Sequence, residues 1–125
     1  MDTLIKAGGF FNIGLVLFHL SFWRLFNWNE DLKNLSFLNS AVMQVLNISI
    51  TVVFVIFCYI SLVHTEELLT TPLGHSLLVL MALFWLARSI QQILFFKLQH
   101  PLSLVFLLVF MAGFVLYAIP AVSIL

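Results

Sequence analysis

The charged residues of this chain fall in clusters separated by long apolar runs. No Asp, Glu, Lys or Arg stands between Ala7 and Trp23, between Asn34 and Thr65, between Leu68 and Ala87, or from Leu98 to Leu125. A helix needs roughly 20 mostly apolar residues to cross the hydrocarbon core, within a range of about 17–25. Every run is that long. The pattern therefore predicts an all-α polytopic membrane protein: a single domain over residues 1–125, with helices at about 4–25, 41–63, 72–96 and 101–119 in an antiparallel four-helix bundle.

Local signals sharpen the boundaries. Asn27-Trp28-Asn29-Glu30 has the form of a capping box, and Trp28, Leu32 and Leu35 then recur at helical spacing. A short interfacial helix in the first loop follows from this. Thr71 is a good N-cap, with Pro72 at the first helical position. The link Lys97-Leu98-Gln99-His100 is so short that helices three and four must be antiparallel neighbours. Pro101 opens the fourth helix, and Pro120 is expected to close it. No helix carries a GxxxG seam. The first run ends in Phe22-Trp23-Arg24 rather than in small residues, and it reads as a retained helix rather than a signal peptide.

Composition supports the membrane reading and narrows the partners. Only 8% of the residues are charged, against the ~25% usual for soluble domains. Such a chain cannot cover a water-facing surface. Its net charge is zero and it has no Lys/Arg-rich run, which excludes nucleic acid as an expected partner. Cys58 is the sole cysteine and cannot form an internal disulfide. Four crossings put both termini on one face. Arg24, Lys33 and Lys97 lie near the opposite, loop-bearing face, with only Lys6 on the terminal side. The positive-inside rule then places both termini outside the cytoplasm, in a cell or inner membrane.

Depth along each helix locates the polar residues. At ~1.5 Å per residue, His19, Asn47, Gln44, Arg88, Gln91, Gln92 and Ser103 all fall toward the loop face. Each set shares one side of its helix. Facing lipid they would go unpaired, at several kcal/mol apiece. The expected arrangement is a polar cluster near the loop face inside an otherwise apolar body. Arg88 is its centre, since an intramembrane Arg costs about 2.5–3.5 kcal/mol and usually marks a site. Either Glu30 or Asp31 folds back to pair with Arg88, or the guanidinium snorkels, or it holds the polar end of a ligand. Trp85, one turn away, is placed to wall such a pocket.

Chemistry is sparse. There is no thiol pair, no HExxH, no intramembrane acidic pair and no Ser/His/Asp set at one depth, which points away from an enzyme. Haem needs two axial histidines at matching depth. Only His19 is well inside, so haem through His19 is disfavoured, and neither a metal nor a cofactor is expected. In length and helix count alone the chain is similar to the small multidrug resistance transporters, which act as dimers. Their mechanism implies a glutamate within the first helix, and Leu4 to Trp23 contains no acid. The expected function is a non-catalytic subunit or binding module for a lipid-like or quinone-like ligand, or for partner helices. The alternative is a small dimeric transporter of an anionic or amphipathic substrate. The bilayer is the expected setting, with a homodimer or a larger membrane complex as the assembly.

Overall fold

The computed structural model describes residues 1–96 and 98–125; Lys97, and with it part of the expected charge asymmetry between the two faces, lies outside the described residues. Seven helices are found among them. In chain order they are α1 (Asp2–Leu20), α2 (Phe22–Leu25), α3 (Trp28–Asp31), α4 (Phe37–Val63), α5 (Thr65–Thr70), α6 (Pro72–Gln91) and α7 (Pro101–Ser123). A single 3₁₀ turn, Leu32–Asn34, follows α3, and α6 continues into a wider π turn at Gln92–Phe96. Four stretches are long and apolar enough to span a membrane: Asp2–Leu20, Phe37–Val63, Pro72–Phe96 and Pro101–Ser123. This is the expected four-span bundle, with short helices between the first and second spans.

Several boundaries differ from expectation, each for a local reason. The first span ends at Leu20 rather than at residue 25. Ser21 turns its hydroxyl back onto the carbonyl of Leu17 at 2.7 Å, and the chain restarts as α2. His19 thus occupies the last turn of α1. Asn27 precedes α3, but its side chain makes no cap; it adopts the left-handed conformation, φ 56°, which reverses the chain. Trp28 and Leu32 are then buried against the rest of the protein. The second span starts early, at Phe37, because Ser36 Oγ accepts the N–H of Asn39 at 3.2 Å. Thr71 caps α6 as expected, accepting the N–H of Gly74 at 2.9 Å. Pro120 does not close α7, which runs on to Ser123. A proline inside a helix forfeits its N–H bond and crowds the carbonyl four residues back, yet here the last turn persists with Pro120 and Ala121 buried.

The helices form a ring in which every neighbour is antiparallel. Gly9 faces Leu62 and His19 meets Asn47, which sets the register of α1 on α4. Gln92 reaches Ser103, and Trp85 packs near Gly113, which does the same for α6 on α7. Asn12 with Tyr117 and Phe18 with Phe106 join α1 to α7. Aromatic rings bridge α4 and α6, with Phe54 stacked on Trp85 at 5.4 Å and Phe57 edge-on to Phe84 at 5.4 Å. Trp85 sits at the centre, wholly buried. Phe54 and Phe110 sandwich it, and Phe11 and Phe84 meet it edge-on at 5.1 and 5.0 Å.

The outer surface is apolar all round. At most a third of any span is buried inside the bundle, and Phe10, Leu17, Val52, Leu80 and Leu108 point outward. Water would not tolerate that face; hydrocarbon does.

Four glycines, Gly8, Gly9, Gly74 and Gly113, permit close approach in place of a GxxxG seam. A Cβ on Gly8 would stand 2.7 Å from the ring of Tyr117, and one on Gly74 would overlap the carbonyl of Glu67 and the backbone of Leu68. Gly14 has open space around it. Gly74→Ala should therefore lower the thermal midpoint of the detergent-solubilised protein. Gly14→Ala should leave it unchanged or raise it, helix propensity favouring alanine by up to about 1 kcal/mol. Equal effects from the two changes would contradict the α5–α6 contact.

Candidate functional site

The polar residues of the loop-side half form separate pairs, each closed by two helices. His19 Nδ1 lies 2.8 Å from Asn47 Oδ1, and Asn47 Nδ2 donates to the His19 carbonyl at 3.0 Å. Trp23 donates its indole N–H to Gln44 Oε1 at 2.9 Å. Gln92, wholly buried, donates to the carbonyl and hydroxyl of Ser103 at 3.2 and 3.1 Å. Hydrocarbon offers such groups no other partner, and that is what ties α1 to α4 and α6 to α7 at this level.

Arg88 is placed differently. It is half-buried rather than buried, and its guanidinium carbon lies 4.4 Å from the centroid of the Phe110 ring and 5.7 Å from that of Phe96. The ring faces supply cation–π attraction in place of an anion. Among the described residues no ion pair includes Arg88. Glu30 instead meets Lys33 at 3.3 Å, and both Glu30 and Asp31 are exposed. The fold-back onto Arg88 is thus not made: α3 is one turn long, and its acidic residues face outward while Trp28 faces in.

Two grooves flank the guanidinium. One, of about 770 Å³ between α4 and α6, is lined by His19, Asn47, Phe54, Trp85, Arg88 and Gln91 among others. The second, of about 420 Å³ toward α7, is lined by His19, Phe22, Arg88, Gln92, Ser103 and Phe110 among others. Of the residues singled out in the sequence, His19 and Arg88 border both grooves. Asn47, Trp85 and Gln91 border the first and Gln92 the second. Gln44 borders neither, being turned to Trp23. Gln91 is exposed at the rim. Trp85 is a wall by its ring alone, since its N–H is buried and finds no hydrogen-bond partner among the described residues.

The body beyond this level is not uniformly apolar. Asn12 donates to the Gly8 carbonyl and to the Tyr117 hydroxyl, both at 2.8 Å, and Ser61 Oγ lies 2.7 Å from the same hydroxyl. Asn12, Ser61 and Tyr117 are all fully buried. This three-helix network lies toward the terminal face, opposite the expected cluster. Hydropathy gives little sign of it, because Ser and Tyr are ordinary in membrane helices. The signal present in the sequence is Asn12, which no interface claims.

Comparison with known proteins gives no match: no family model, no curated protein and no solved structure is similar to this chain.

Removing the shared hydroxyl should expose the network's contribution. Tyr117→Phe should destabilise the protein by roughly 1–3 kcal/mol, the cost of leaving buried polar groups unsatisfied. In an Asn12→Leu, Ser61→Ala background the same change should cost much less, read as a non-additive double-mutant cycle in thermal or denaturant unfolding.

Proposed function

We propose that this chain is a non-catalytic membrane binding module that holds a lipid-like or quinone-like amphiphile. Arg88 grips the polar head, and the aromatic grooves receive the tail. The observation that supports this reading is a half-buried guanidinium with no carboxylate partner among the described residues, set between two grooves whose walls are mainly aromatic and aliphatic side chains. An unneutralised cation in hydrocarbon is costly. The faces of Phe110 and Phe96 offset part of that cost, and an anionic or carbonyl oxygen would offset more.

The surrounding groups suit recognition without reaction. His19, Asn47, Gln92 and Ser103 are held by hydrogen bonds and so are pre-oriented. Apolar rings such as Phe22, Phe54 and Phe106 make up most of the remaining wall, as is usual for small-molecule sites.

Arg88→Leu separates this role from a structural one. The bundle should keep its helical circular dichroism, and the empty protein should become more stable, since a charge costing about 2.5–3.5 kcal/mol to insert has gone. Native mass spectrometry of the purified variant should show at least a tenfold lower occupancy by co-purifying amphiphile, the scale of a lost charge-assisted bond. An unchanged complement of bound molecules would sink the proposal.

A further inference from the structure

We infer that the head the site selects is an anionic oxygen with a hydroxyl beside it, as in a hydroxylated phosphodiester lipid of the phosphatidylglycerol type. The inference rests on the reading of Arg88 given above and adds the hydrogen-bond sense of its neighbours.

The sense follows from the His19–Asn47 pair. Asn47 Nδ2 donates to the His19 carbonyl, which turns Oδ1 toward the ring. An amide oxygen only accepts, so Nδ1 of His19 carries the hydrogen. The neutral imidazole then keeps its lone pair on Nε2, and that nitrogen makes no hydrogen bond among the described residues. His19 is half-buried and borders the same two grooves as Arg88. Gln92 is not a second such acceptor, since its side chain is wholly buried and its amide N–H is committed to Ser103.

The site therefore offers the Arg88 cation and one open acceptor, His19 Nε2. A quaternary ammonium head would place a like charge near Arg88 and brings no O–H. A quinone carbonyl satisfies the guanidinium and leaves His19 Nε2 empty. A simple anion does the same. A phosphodiester bearing a free hydroxyl fills both, with phosphate oxygens accepting from Arg88 and the hydroxyl donating to the imidazole. The apolar rings of the grooves take the acyl chains, so the lipid and not its soluble headgroup is the occupant.

Two lipids of equal charge make the test. The full chain is placed in nanodiscs of phosphatidylcholine, and phosphatidylglycerol or phosphatidylmethanol is titrated in, with bound lipid counted by native mass spectrometry. Both are monoanionic phosphodiesters; only the first has hydroxyls. Phosphatidylglycerol should bind roughly five- to tenfold more tightly, the scale of one hydrogen bond. Diacylglycerol, with a hydroxyl and no phosphate, and soluble glycerol phosphate should both bind at least tenfold more weakly. In His19→Phe, checked for folding by circular dichroism, the two anionic lipids should bind alike. Equal affinities in the unaltered protein overturn the hydroxyl inference while leaving Arg88 as an anion site. Retention of both lipids by Arg88→Gln overturns the site itself, and tight binding of glycerol phosphate alone overturns the lipid as its source.

Discussion

Hydrocarbon accepts no hydrogen bond, and this one constraint arranges the molecule. Helical backbones satisfy themselves, but an amide, imidazole or hydroxyl side chain inside a span must find its partner within the protein. That partner is either a carbonyl one turn back, as for Thr51 and Ser89, or a group on another helix. Each helix contact of the ring but one has such a pair. His19 with Asn47 fastens α1 to α4, Gln92 with Ser103 fastens α6 to α7, and Asn12 with Tyr117 fastens α1 to α7. Between α4 and α6, stacked rings bridge the gap instead. That is also where the larger groove lies. Where polar pairing stops, the bundle is open.

Two leaflets thus receive different treatment. Toward the terminal face, the Tyr117 hydroxyl gathers groups from three helices with every participant buried. Glycines at 8 and 74 bring backbones and rings to close range there. Toward the loop face the helices part, the third span loosens into a π turn, and Arg88 faces rings rather than a counter-charge. A π turn within a helix commonly accompanies a functional position, and this one begins at Gln92, beside the groove.

Much of the fold is legible in the sequence because charge spacing alone defines the spans. Thr71 and Pro72 begin α6 where their chemistry requires. What escapes is set by tertiary burial. Pro120 looks like a terminator, yet the packed end of α7 absorbs its missing N–H. Asn27 has the composition of a capping residue and serves as a left-handed hinge. Depth along the spans brings His19, Asn47, Arg88 and Gln92 to one level, and the grooves join them, but depth cannot choose among partners: Gln44 turns to Trp23, and Gln91 looks outward. Tyr117 is invisible to hydropathy because a tyrosine's ring and its hydroxyl obey opposite preferences.

The ring closes between the first span and the fourth, and this bears on how the molecule is made. A ribosome delivers α1 and α4 well before α7, so Asn12 and Ser61 enter the bilayer while the phenol that will unite them has yet to be translated. During that interval the Asn12 amide has only the Gly8 carbonyl of its own helix to donate to. The arrival of the fourth span lets the Tyr117 hydroxyl draw Asn12 and Ser61 together.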